Sequence, residues 1–184
     1  MELVKKIKNP AVRETVDWII HIGIAIIIAI FITKFVFQRT VVYKISMQPT
    51  LKEGDNLIVE KISPKINNID KGDIITVYSP EYVHEKGNTM IKRVIAVEGD
   101  TIKIDDGKVY VNDKVIKEDY ILGDYTDNSG EYIEEKIKED HVYVLGDNRE
   151  EKIIDSREAG QIKMENVSGK AVMRVFPFNK FELF

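Results

Sequence analysis

Cysteine is absent from the 184-residue chain, which removes disulfides, thiolate metal sites and a cysteine nucleophile together. Histidine is nearly as scarce, with His21, His84 and His141 scattered along the sequence. One of the three sits inside an apolar run, so a histidine metal site or a Ser-His-Asp arrangement is hard to assemble. Glycine (11) and proline (5) are few, and no repeat or low-complexity tract interrupts the chain. An excess of charge of either sign is missing too. The formal net charge is −4, so there is no global basic field to attract nucleic acid. No motif calls for a cofactor or a metal ion.

What remains is a globular composition, 43% hydrophobic and 32% charged, of a size for one domain or one domain plus an appendage. Long hydrophobic runs are limited to Trp18–Phe37, apolar apart from His21, Thr33 and Lys34. Its length matches the roughly 20 residues that a helix needs to cross about 30 Å of hydrocarbon. Trp18 suits one interface, close to His21, and Lys34 can snorkel to the other. The stretch Ile22–Ile32 is apolar on every face, unlike a surface helix. A cleavable leader should be followed by a small-x-small site, whereas this run continues into Lys34-Phe35-Val36-Phe37-Gln38-Arg39. An uncleaved anchor over 18–37 is therefore expected, after a short charged segment 1–17. Basic residues on both flanks make the positive-inside rule weak here.

Beyond the anchor the texture changes to short β-like runs separated by turns. Strands are expected at Thr40–Ile45, Asp55–Lys61, Asp73–Tyr78, Thr89–Glu98, Thr101–Ile104, Val109–Val111, His141–Leu145 and Lys170–Phe176. Glu81–Asn88 reads as a charged loop with His84 solvated in it. Asp119–Asp140 reads as an acidic surface excursion, part of a hairpin region over 103–140. Helix signals are scarce, so residues 38–184 are expected to form a mainly β, twisted antiparallel, partly closed domain behind one N-terminal transmembrane helix.

Three stretches could carry chemistry. Ser46-Met47-Gln48-Pro49-Thr50-Leu51 is a stiffened turn, because Pro49 fixes its own φ and restricts Gln48. It would present Ser46 in a defined direction, although serine, proline and threonine are also ordinary turn residues. A serine nucleophile needs a base, and without a usable histidine that base is a lysine whose pKa burial has lowered. Lys92 is the candidate, on one face of an apolar strand with Met90 and Val94, while Arg93 shares the other with Ile91 and Ile95. An edge strand protected by its cations would look the same. The third stretch pairs Gly146-Asp147-Asn148-Arg149 with Asp155-Ser156-Arg157, either as a buried ion network or as charged surface loops.

A single anchor followed in order by Ser46-Met47-Gln48-Pro49-Thr50-Leu51, Gly72-Asp73-Ile74-Ile75, Ile91-Lys92-Arg93-Val94-Ile95-Ala96 with Gly99-Asp100, and Gly146-Asp147-Asn148-Arg149 with Asp155-Ser156-Arg157 resembles the bacterial type I signal peptidases. The resemblance implies a Ser-Lys endoprotease on a mostly antiparallel β fold, with Ser46 as nucleophile and Lys92 as general base. It implies structural support from Arg93, Asp147, Arg149, Asp155 and Arg157, with Arg93 and Asp147 paired. Met47 and Pro49, beside the serine, are expected to contact substrate. The implied partners are signal peptides of exported preproteins, membrane lipid and the secretion translocase. Two positions depart from the family pattern. A serine that usually precedes Asp-Ser-Arg is replaced by Glu150-Glu151-Lys152-Ile153-Ile154, one residue longer, and Lys44 stands where some members place a hydroxyl two residues before the nucleophile. Two other readings share the scaffold: a self-cleaving repressor-type protease, which would carry a DNA-binding region in place of the anchor, and a silent membrane-tethered module for extended peptides.

Overall fold

The structure, a computed structural model, describes residues 9–81, 89–128, 133–150 and 153–184. The chain divides after Phe37 into a helical unit and a β unit, Gln38–Phe184. Helix α1 (Pro10–Phe35) starts where Asn9 accepts the Ala11 and Val12 N–H groups and Pro10 takes the first turn. The polar cap lies upstream of the apolar run, so the helix is longer at its start than the 18–37 expected for the span. At 1.5 Å per residue its 26 residues rise about 39 Å. None of its residues is buried. It is long and apolar enough to cross a bilayer. Its polar side chains spend their donors on the preceding turn: Thr33 Oγ1 donates to the Ala29 carbonyl at 2.9 Å, and His21 Nδ1 lies 2.7 Å from the Asp17 carbonyl.

Among the described residues twelve strands follow: β1 (Phe37–Val41), β2 (Asn56–Glu60), β3 (Ile74–Tyr78), β4 (Thr89–Val97), β5 (Thr101–Asp105), β6 (Lys108–Val111), β7 (Lys114–Val115), β8 (Ile133–Lys136), β9 (His141–Leu145), β10 (Ile162–Lys163), β11 (Val167–Phe176) and β12 (Glu182–Leu183). A one-turn helix α2 (Ser156–Ala159) lies between β9 and β10. The larger sheet runs β1-β2-β11-β3-β4-β9-β10 with β12 on β11, and the smaller runs β7-β6-β5-β8. Among the described residues neither sheet closes on itself, where partial closure was expected, and the ladders are antiparallel. This is the mainly β, antiparallel architecture that the short strands imply.

Two segments differ from expectation. The strand expected at Thr40–Ile45 lies earlier, because Lys44 adopts φ +68° and the chain turns before Ile45. The segment expected as a surface excursion supplies β8, which pairs with β5, and buries Thr126 and Ile137. The loop expected at Glu81–Asn88, with His84, lies outside the described residues from position 82 onward.

Alternation on β9 explains the core. Val142 and Val144 face one cluster with Ile75, Val77, Met90 and Val94, while Tyr143 and Leu145 face a second with Ile95, Ala96, Ile102 and Ile104. A register shift between Val94 and Ala96 puts two successive β4 residues, Ile95 and Ala96, into that second cluster. A third cluster joins Ile74, Ile91 and Ala171 to Val42, Met47, Leu51, Leu57 and Val59.

At Gly169, β11 passes close to β2. A Cβ there would lie 2.4 Å from Val59 Cγ1 and 2.5 Å from the Glu60 carbonyl oxygen. Gly169→Ala is expected to cost about 1–3 kcal/mol through overpacking, lowering Tm by about 2–4 °C per kcal/mol for a unit of this size. Thermal unfolding followed by circular dichroism measures the shift, and an unchanged Tm would refute the close approach.

Candidate active site

Lys92 is not on an edge. Strand β4 lies between β3 and β9, with Lys92 paired to Ile75 and Arg93 paired to both Ile74 and Leu145. Lys92 is 3% exposed, and the protective edge-strand reading fails for that reason. Its side chain shares the face of Met90 and Val94 and makes no hydrogen bond or ion pair among the described residues. Burial pushes its pKa down to about 8; Asp155 and Asp147 oppose this, while Arg157 and Lys44 add to it.

Antiparallel register carried one residue past Arg93 and Leu145 sets Lys92 opposite Gly146. Gly146 is where the Ser46 turn arrives. A Cβ on Gly146 would stand 2.6 Å from the Ser46 carbonyl oxygen and 2.0 Å from Ile153 Cδ1, so only glycine admits both neighbours. The Asn148 N–H donates to the Ser46 carbonyl (3.1 Å), and Asn148 Nδ2 donates to the Ile45 carbonyl (3.3 Å). The turn itself is closed by the Gln48 and Leu51 N–H groups, which donate to the Ile45 and Met47 carbonyls. Ser46 Oγ, like Lys92 Nζ, makes no hydrogen bond among the described residues. Met47, expected to face substrate, is 1% exposed and packs in the third core cluster. Its apolar side chain anchors the turn instead. Pro49 stays exposed and bridges to Ile121.

Around this point the charged residues resolve into three pairs. Arg93 donates to both oxygens of Asp147, Nε to Oδ1 at 2.9 Å and Nη2 to Oδ2 at 2.7 Å, and lies 4.1 Å from the Tyr120 ring centroid. Thr50 Oγ1 donates to Asp147 Oδ2 at 2.6 Å, which ties the serine turn to that pair. Arg157 donates to both oxygens of Asp155 at 2.9 and 2.8 Å, and Asp155 Oδ2 accepts the Gly146 N–H at 3.1 Å. Asp155 thus caps α2 and holds the backbone opposite Lys92.

Arg149 pairs with neither aspartate. It donates to Glu118 at 2.5 and 3.3 Å, to Thr126 Oγ1, and through Nε to the Gly146 carbonyl at 2.7 Å. Glu118 and Tyr120 come from the hairpin region expected over 103–140, and sequence reasoning missed both. The only signal for them was a glutamate and a tyrosine in an acidic stretch. The same segment follows the site through Leu122, whose N–H donates to the Asp147 carbonyl and whose own carbonyl accepts from the Arg149 N–H.

Residues 15–176 of the chain match the family described as signal peptidase, peptidase S26. This chain belongs to that family. It is 36% identical over 165 residues to a signal peptidase I of Leptolyngbya laminosa, covering 86% of this chain and 78% of the relative. It is 31% identical over 185 residues to the signal peptidase IB of Staphylococcus aureus, covering 92% and 94%. The crystal structure of a signal peptidase I from Enterococcus faecalis aligns at 28% identity with a TM-score of 0.45, over 55% of this chain and 95% of that one. Members of the signal peptidase family are serine endopeptidases, and this chain is such an enzyme, with an N-terminal apolar helix that fits a single-pass membrane protein.

Within this member of the signal peptidase family, the positions where a serine is replaced fall partly outside the described residues, at Glu151 and Lys152. Ile153 is described, and its Cδ1 lies over Gly146. The buried Lys92 carries a stability signature. A lysine in an unfolded chain titrates near 10.4, above its folded value of about 8. The unfolded state therefore binds more protons between these values, and stability rises as pH climbs through that window. Below pH 8 the full penalty applies. Lys92→Met removes it at similar volume, so the variant is expected to be more stable than the parent at pH 7 by up to roughly 3 kcal/mol. The gain should vanish towards pH 10.5. Urea unfolding at both pH values checks this, and an equal gain at each would contradict the burial penalty.

Proposed function

We propose that the protein is a membrane-bound endopeptidase that removes N-terminal signal peptides from exported preproteins, with Ser46 as nucleophile and Lys92 as general base. The observation that carries this reading is Lys92 itself. It is a buried lysine on a central strand, with a pKa near 8 and no protein partner among the described residues, across the ladder from the glycine that the Ser46 carbonyl abuts. A structural lysine at that depth calls for a paired carboxylate, whereas a general base needs to be neutral near working pH.

In the acylation step neutral Lys92 Nζ takes the proton from Ser46 Oγ as Oγ attacks the scissile carbonyl carbon. The tetrahedral oxyanion that forms is stabilised by the Ser46 N–H. Its collapse breaks the C–N bond, and the Lys92 ammonium returns the proton to the leaving amine. Water then attacks the Ser46 ester with Lys92 again accepting the proton, which releases the signal peptide and restores Ser46. Arg93, Asp147, Arg149, Asp155 and Arg157 hold the backbone around this point. Pro49 is the side chain of the turn that remains available to substrate. An extended peptide end fits addition beside the sheet, and shallow pockets suit a small-x-small, Ala-x-Ala-like sequence.

The N-terminal residues 1–17 lie on the cytoplasmic side in this reading. Residues 18–37 span the membrane, and 38–184 act on its outer face beside lipid and the translocase. Confinement of enzyme and preprotein to one surface raises their effective concentration.

The deciding experiment incubates the detergent-solubilised protein with a preprotein bearing an Ala-x-Ala site. Cleavage at that site by the parent is expected, with loss of activity in Ser46→Ala and in Lys92→Ala while each keeps the parental circular dichroism spectrum. Substantial activity in either variant would sink the dyad. The rate should also rise with pH through a limb near 8, because only the deprotonated Lys92 serves as base. A profile flat from pH 6 to 10 would remove Lys92 from the mechanism.

A further inference from the structure

The loop that carries Ser46 is closed at its base by two backbone bonds. The Val42 N–H donates to the Asp55 carbonyl at 2.8 Å, and the Gly54 N–H donates to the Val42 carbonyl at 3.0 Å. Its entry is held by Asn148 and its middle by Thr50 on Asp147. Its exit depends on a residue from the far end of the chain. Arg174, on β11 and 8% exposed, donates from Nη1 to the Thr50 carbonyl at 2.8 Å and to Asp55 Oδ2 at 3.0 Å. Asp55 Oδ2 accepts the Lys52 N–H at 3.0 Å as well, closing the turn from Lys52 to Asp55.

The remaining donors of Arg174 face the other way. Nε donates to the Lys180 carbonyl at 2.8 Å, and Nη2 pairs with the Glu182 carboxylate. Glu182 sits on β12, opposite Arg174 in the β11–β12 ladder. One guanidinium therefore grips the exit of the serine loop and the segment 178–184 together. A lysine cannot copy this, since its donors radiate from a single nitrogen. The 430 Å³ cleft between the two gripped elements is lined by Pro49, Thr50, Arg93, Tyr120, Glu182 and Phe184, among others. Residues of both elements thus line a single cleft.

We propose that Arg174 is a positioning residue for Ser46, and that the segment 178–184 is a working part of the site because Arg174 transmits its placement to Thr50. The catalytic half of this inference rests on Ser46 being the nucleophile. The geometric half does not. Arg174 touches neither substrate nor the reacting atoms. It acts by fixing the far end of a six-residue turn, where a displacement of about 1 Å is enough to cost on the order of a hundredfold in rate.

The test uses the full chain in detergent with Arg174→Met, Arg174→Lys and Glu182→Gln, a peptide with an Ala-x-Ala site, and amide hydrogen exchange. For Arg174→Met, kcat is expected to fall about tenfold or more with KM within about twofold. Exchange at the Gln48 and Leu51 amides should rise about tenfold or more, while β4 and β9 amides stay protected. Arg174→Lys, which retains the charge opposite the buried Asp55, is expected to keep the fold and show the same pattern more weakly. It therefore decides the question if Arg174→Met does not fold. Glu182→Gln, at a half-exposed carboxylate, should move kcat and the Leu51 amide in the same direction.

Unchanged exchange at Gln48 and Leu51 in the arginine variants would overturn the clamp. Exchange that rises equally in every strand would overturn it too, reducing Arg174 to a general stability residue. An unaltered kcat beside a loosened turn would overturn the positioning role. A parent that cleaves nothing would count against the Ser46 reading, and the exchange data would still decide the clamp.

Discussion

A charge placed in the middle of a sheet is the constraint on which this structure turns. Lys92 lies on a strand with neighbours on both sides, where its ammonium has lost water and gained no direct carboxylate. Such a position is costly, and the surroundings are built to tolerate it without neutralising it. Asp155, the strongest favourable charge, is itself held by Arg157 and by the Gly146 N–H, so its field reaches Lys92 without a bond. The lysine is left able to lose its proton near neutral pH.

The three arginine–carboxylate pairs follow from that arrangement. Each contains or hydrogen-bonds a residue of the short link from Gly146 to Arg149: Arg93 with Asp147, Arg149 with Glu118, and Arg157 with Asp155, which accepts the Gly146 N–H. Buried pairs are weak contributors to stability when compared with apolar packing, but removing one partner is costly. Their bidentate geometry fixes backbone direction. Here they fix the backbone of Gly146 and Asp147, against which the serine turn rests. Apolar packing does the complementary task, since Met47 and Leu51 pull the same turn into the core.

The serine turn therefore has three independent holds: the Asn148 backbone and amide at its entry, the Thr50–Asp147–Arg93 set in the middle, and Arg174 at its exit. All three reach the turn from residues more than ninety positions away in sequence. Long-range contacts of this kind place the site in a domain whose ladders are otherwise simple antiparallel neighbours. They also make the site sensitive to changes far from the serine along the chain.

Much of this was readable in advance. The apolar run, the strand periods of β3, β4 and β9, and the candidates Ser46 and Lys92 all come from local pattern: residue type, alternation and turn residues act over a few positions. The ordered set of motifs carried the family, whereas the need for glycine at position 146 comes from the Ser46 carbonyl and Ile153, which only the fold brings beside it. Tertiary structure alone decided the rest. Edge and centre of a sheet look alike along one strand, so only the β3–β4–β9 order excluded a protective role for Lys92 and Arg93. Met47 carries the same side chain whether it faces a peptide or a core, and its packing neighbours decided for the core. Local pattern did not single out Glu118, Tyr120 or Arg174. An arginine's partners are set by which strands fold back beside it, and that is a property of the whole sheet rather than of any stretch of chain.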